Sequence, residues 1–177
     1  MKRLVEEQPI YVLKVGDQFS PVFESPLGLF DPIRMGDALT GKYGIPRRRL
    51  PGLMSPWALR RLDKFDRDIS KFYVVKIYPS RLRRVGVAKF EPGDEKNQDI
   101  LTLVGKVDIR QLEHYSQDHP DSDSFSGGLS RATQGVLEFV EMFKAPIKML
   151  YPLLTATQEG NYMGAESFAP FRFKVSF

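Results

Sequence analysis

The chain has 177 residues, 42% of them apolar, enough for one domain with a core of its own. It has no cysteine, which excludes a disulfide framework, a thiolate metal site and a thiol nucleophile. A net charge of +4 and an isoelectric point near 9.3 permit contact with phosphate-rich partners but do not by themselves predict nucleic-acid binding. No run of eighteen apolar residues marks a membrane span, and the charged residues 1–7 lack the apolar centre of a signal peptide, so a cytoplasmic protein is expected.

Residues 9–13, rich in β-branched and aromatic side chains, predict a buried strand ended by Gly16 and Asp17. The proline-studded stretch 18–32 reads as an ordered loop. Residues 36–42 fit G-x-x-x-x-G-K. A working phosphate loop needs a strand before it, a helix after it and a Ser or Thr next in line. Here Tyr43 follows, with Gly44 and Pro46 close behind, so the match is read as a chance one in a loop. Arg47, Arg48 and Arg49 read as a solvated basic turn, with phosphate contact as the alternative. Ser55-Pro56-Trp57 opens a helix, Ser as cap and Pro in the first turn. Trp57, Leu59, Leu62 and Phe65 give that helix its apolar side, with Trp57 as a packing anchor. Residues 72–78 and 85–90 predict two strands, read as a hairpin-like insertion, with a basic turn at 80–84 between them.

Residues 91–99 are the most polar stretch. Counting from Asp94, the glycine and glutamate of a calcium loop are missing, so the loop is left as either a solvated turn or a surface facing nucleotide or a neighbouring subunit. Residues 109–115 predict a helix and 118–124 a loop. His114 and His119 do not have the spacing of zinc ligands on a helix face.

The segment 135–141 predicts a short apolar strand after a turn glycine, carrying Glu138 inside it and Glu141 at its C-terminal end. Open α/β sheets place ligands and catalytic groups at such ends. In P-loop NTPases an acid there handles magnesium or the attacking water. Residues two apart on a strand share a face, so Glu138 points with Val140, and Glu141 points the other way unless the strand has ended. Glu138 is read either as an indirect magnesium ligand or as a structural carboxylate paired with a nearby cation. After Pro146, Ile147, Leu150, Leu153 and Leu154 recur on one helical face, and Pro152 is expected to kink or split that helix. The alternating residues 171–177 read as an edge strand.

The order Gly128-Leu129, Ala132, Gly135, apolar strand, Glu141, helix, Gln158-Glu159-Gly160 resembles the second half of an AAA+ ATPase domain. More specifically, residues 137–148 and 153–162 closely resemble the PrkA family of bacterial serine protein kinases, and the resemblance extends over residues 1 to about 168. It implies an α/β fold: part of a three-layer P-loop NTPase sheet with an inserted α+β segment, residues 1–177 forming one PrkA-type AAA+ domain and 44–125 the insertion. It implies ATP and Mg2+ as cofactors, protein substrates, a homo-oligomer as a possible assembly, and Glu141 as the catalytic acid. It implies protein serine kinase and ATPase activity for the whole family protein. The family's phosphate loop, sensor strand and arginine finger do not match residues of this chain, so the expectation is a fragment that neither binds ATP tightly nor transfers phosphate alone. A non-catalytic module is the alternative, binding a protein or nucleic acid through Arg47–Arg49 and the arginines of 81–84. Parallel strands with uncovered neighbours also lead us to expect exposed apolar edges.

Overall fold

The computed structural model describes residues 2–50, 54–91, 103, 106–107, 123–124 and 127–159. The expectations for loop 92–99, the helix at 109–115, His114, His119 and the strand at 171–177 lie outside the described residues.

Helix α1 (Lys2–Glu7) leads into strand β1 (Ile10–Val15), which turns through Gly16 into the short β2 (Gln18–Phe19). Helices α2 (Gly36–Tyr43) and α3 (Pro56–Lys64) follow, then β3 (Tyr73–Ile77) and β4 (Val87–Phe90). A two-residue ladder joins β5 (Lys106–Val107) to β6 (Asp123–Ser124), so the end of the expected 118–124 loop is paired. The one-turn α4 (Gly128–Arg131), β7 (Val136–Phe139) and α5 (Ile147–Glu159) complete the described chain.

Two sheets carry the structure. One is antiparallel, in the order β2-β1-β3, with Val12 opposite Val75. The other is the parallel pair β4-β7, with Ala88 opposite Leu137 and Lys89 opposite Glu138. The two strands read as a hairpin therefore do not pair with each other. The chain between them makes a tight turn closed by the Ser80–Val85 bridge, and each strand joins an element distant in sequence. The apolar content of 73–77 and 87–90 fixed strand character, but pairing across such distances is set by tertiary packing.

Each sheet has its own core. Leu13 from β1 packs with Met54, Trp57, Ala58 and Phe72, so Trp57 is the anchor expected of it. The guanidinium of Arg61 lies 4.1 Å from the centre of its ring, and Leu59 is exposed. Ser55 caps α3 as expected, its hydroxyl accepting from the Ala58 N–H. The second core gathers Val22, Ala88, Phe90, Leu103, Leu129, Ala132, Leu137 and Leu153. Gln134, in a left-handed conformation, ties the two together by donating its amide to the carbonyls of Tyr11 (2.9 Å) and Phe23 (2.6 Å).

Two local readings change. Residues 36–43 form a helix rather than a loop. Asp37 in its first turn and Lys42 in its last suit the helix dipole, and Gly44 ends it in a left-handed cap. No phosphate loop results: a Cβ on Gly36 would lie 3.0 Å from the Arg47 side chain, so this glycine makes room for an arginine. Helix α5 is also continuous across Pro152. Pro152 removes only the bond to the carbonyl of Lys148, on an exposed residue where water can replace it. Leu153 is buried and Leu150 packs beside it, whereas Ile147 and Leu154 are exposed, so the apolar face is only partly covered.

Candidate functional site

The parallel pair β4-β7 positions the site. In register, Ala88, Phe90, Leu137 and Phe139 face the core, with Phe90 and Phe139 rings 4.8 Å apart. Alternation sends Val87, Lys89, Val136 and Glu138 to the other face. That face opens on a cavity of about 760 Å³, whose lining includes Arg81, Arg84, Lys89, Arg131 and Glu138.

The N-terminal ends of the two strands are clamped by glycine. A Cβ on Gly135 would stand 1.7 Å from the carbonyl oxygen of Gly86, so only glycine allows this approach. The Gly86 N–H donates to the Arg131 carbonyl (2.8 Å), and the Val136 N–H donates to the Gly86 carbonyl (2.9 Å). Arg84, left-handed in the turn before β4, is thereby held near Arg131. Burial and then the neighbouring Arg84 charge make Arg131 a weaker base than a free arginine.

The C-terminal ends carry the acids. Glu138 lies half-buried on β7 with Lys89 as its cross-strand partner. The strand ends at Phe139, before Glu141, so the simple alternation rule does not extend to that residue. Glu141 instead adopts φ 53°, ψ 42° at the head of a single 3-10 turn. Its carboxylate is exposed and pairs with Lys144 at 3.0 Å. Lys89 also reaches Glu91 at 2.5 Å. That hydrogen bond raises the Lys89 ammonium above its ordinary value and lowers the Glu91 carboxyl. The two predicted site residues thus sit differently, Glu138 on the cavity face and Glu141 past the strand tip. Among the described residues no three His or acidic side chains cluster in the manner of an all-protein metal site. A magnesium ion bound to nucleotide needs only one or two carboxylates with water and phosphate, and hard carboxylate oxygens suit it. The residues present fit that requirement.

The basic turn at 47–49 is occupied with structure. Arg47 donates to the carbonyl of Pro32 (2.9 Å) and lies 3.9 Å from Asp37, while Arg48 and Arg49 are exposed.

Sequence reasoning missed three groups. Arg131 lies between Leu129 and Ala132, but its neighbour Arg84 is remote in sequence and only the β4-β7 pairing brings them together. Gln134 carried no signal beyond preceding the turn glycine. Glu24, only 9% exposed, accepts from Ser20 Oγ (2.7 Å), Ser55 Oγ (2.5 Å) and the Ser55 N–H (2.8 Å). Burial pushes its carboxyl up, partly opposed by the bonds from Ser55 and Ser20.

Comparison with known proteins bears on this arrangement directly. The family model described as PrkA AAA domain matches residues 1–176. The chain is 57% identical over 173 residues, 98% of its length, to "Serine/threonine kinase YeaG" of Escherichia coli K12, and equally to that of Escherichia coli O157:H7. It is 35% identical over 161 residues, 90% of its length, to "ATP-dependent protease PrkA" of Bacillus subtilis strain 168. It covers 27% and 24% of those proteins, about a quarter of the length of the curated relatives it matches. No solved structure matches it. With mixed helices and sheets of a few strands, matched from residue 1 to residue 176, the chain belongs to the PrkA AAA domain family.

Proposed function

We propose that this chain is the acid-bearing part of a PrkA-type AAA+ module serving ATP-dependent phosphorylation of protein serine or threonine. The observation that carries the reading is Glu141, an exposed carboxylate just past the C-terminal end of a parallel strand whose Val136 and Leu137 are buried. That is where open α/β sheets present catalytic groups. The finer architecture proposed is the partial three-layer P-loop NTPase sheet, with 1–177 as one module and 44–125 set into it. The E. coli relatives carry a kinase name and the B. subtilis relative an ATP-dependent one, which supports ATP use.

In this reading Glu141 activates or orients the group that attacks the terminal phosphate, and Lys144 pairs with its carboxylate. Glu138 is the candidate for holding Mg2+, through water and with Lys89 as competitor for its charge. When bound, Mg·ATP supplies the phosphoryl group and neutralises its developing charge. Of this chain taken alone we propose weak ATP affinity and no phosphoryl transfer, since no residues described here form a phosphate loop. The proposed substrates are proteins and the proposed compartment is the cytoplasm. Among the described residues no helix is long and apolar enough to cross a membrane.

The test is a chimera in which this chain replaces the matching quarter of E. coli YeaG. Phosphorylation of a serine-bearing protein by the chimera should persist. Glu141→Gln in the chimera should lower the rate about 100-fold or more, with KM for ATP changed far less, as for loss of a group acting in the transition state. An unchanged rate would remove Glu141 from the chemistry.

A further inference from the structure

The cavity on the second face of β4-β7 runs from the Arg84 turn, at the strand ends away from Glu141, along the strands to Lys89 and Glu138. Its cations are Arg81 and Arg84 from the turn before β4, Lys89 from β4, and Arg131 from the end of α4. Lys89 is engaged by Glu91 and faces Glu138. Among the described residues, the ion pairs found include none for Arg81, Arg84 or Arg131. Three guanidinium groups therefore share one concavity with two carboxylates, Glu6 and Glu138, and none of the three is in an ion pair with a described residue.

Their approach is built in. The Gly86–Gly135 contact and the bond from Gly86 to the Arg131 carbonyl fix the Arg84 turn against α4. The turn is closed on itself by the paired Ser80 and Val85 backbones. Holding like charges together costs free energy that an anion between them recovers, and the guanidinium fork matches phosphate oxygens. The cavity also has room for more than a bare phosphate, since sites of 300–1,000 Å³ typically hold whole small molecules. Val87 supplies apolar wall, and Leu82 stands at the rim 97% exposed, an apolar side chain with nothing yet against it.

We propose that the arginine end of this cavity is a binding site for a small phosphate monoester, distinct from the nucleotide edge at Glu138 and Glu141. The phosphate sits among Arg81, Arg84 and Arg131, and the apolar body lies against Val87 and Leu82. A ligand there bridges the β4 turn to α4 and the start of β7, the strand that ends at Glu141, which gives it a route to influence the acid without touching it.

The test titrates the chain with inorganic phosphate and with phenyl phosphate at about 50 mM salt, following amide shifts and heat. Both should bind saturably, phenyl phosphate at least about threefold tighter. Arg131→Gln and Arg84→Gln should each weaken both ligands about tenfold, and Arg81→Gln should move them the same way. Leu82→Ser should weaken phenyl phosphate alone. Arg48→Gln, an exposed arginine elsewhere, and Glu141→Gln should change neither. Absence of saturation, or equal loss in Arg48→Gln, would overturn the site as diffuse charge attraction. Loss in Glu141→Gln would overturn its separateness. Equal affinity for the two probes would overturn the ester assignment. Because Arg131 ends α4 while Arg81 and Arg84 sit in the turn before β4, misfolding of a variant in one element leaves the other to decide. None of these results depends on the kinase reading, which the chimera tests.

Discussion

Gly135→Ala perturbs the contact on which the parallel pair depends. The new methyl carbon would begin 1.7 Å from the Gly86 carbonyl oxygen and 2.5 Å from its carbon, against a floor of about 3.0 Å for real Cβ contacts. Relief requires more than an ångström of separation between the β4 turn and β7. Both partners are backbone, so no side chain can swing aside. The motion stretches the 2.8 Å bond from Gly86 to Arg131 and the 2.9 Å bond from Val136 to Gly86 beyond useful range. Gly135 and Val136 are buried, and each orphaned buried group costs about 1–3 kcal/mol. The expected loss is about 3–5 kcal/mol, a large share of the stability of an ordinary domain. Urea unfolding followed by circular dichroism measures it as a fall in the midpoint at unchanged slope. Gly41→Ala is the comparison: nothing lies within 4 Å of its added methyl, and the helix around it should gain up to about 1 kcal/mol. A Gly135→Ala protein within about 0.5 kcal/mol of the parent would refute the packing argument.

Three further outcomes follow from burial and exposure. The Glu24 carboxyl holds its proton to higher pH when folded than when unfolded, so folding stability should fall as pH rises from the ordinary carboxylate range through the raised folded value. Urea midpoints across that range should show this slope, and Glu24→Gln should flatten it; a slope of the same size in the variant would contradict the assignment. Leu137→Ala, at a 2% exposed position in the second core, should cost about 2–5 kcal/mol in the same assay. Phe143→Ser, at a 98% exposed position, should cost almost nothing and improve solubility.

Much of this architecture was legible in single segments. The apolar runs around Val12 and Leu137 became buried strands, and Ser55-Pro56 became a capped helix start, because those signals are local. In α5, Ile147, Tyr151 and Leu154 are exposed, which follows from the helix burying only its Leu150 and Leu153 side. Pairing was not legible. Nothing in residues 73–77 states that they prefer β1 to their nearer neighbour β4, since both choices bury similar side chains. Residues 36–43 misled because Gly44 and Pro46 were taken to bar a helix, whereas Gly44 ends one in a left-handed cap and Arg47 packs against Gly36 from outside it. Glu141 was expected as the last residue of the strand, but the strand stops at Phe139, and the left-handed backbone that follows could not be foreseen for a residue type that seldom adopts it. The arginine-lined cavity required the β4-β7 register before its members could be named together.

The central claim is that the end of β7 is a nucleotide edge, and even weak binding can be located there. Manganese in place of magnesium, added with ATP to the isotopically labelled chain, broadens the amide signals of residues near the metal. The account predicts broadening at Glu138, Glu141 and Lys144, with Arg81 and Arg84 spared. Broadening centred on the arginine cavity, or none at the strand tip, would contradict it.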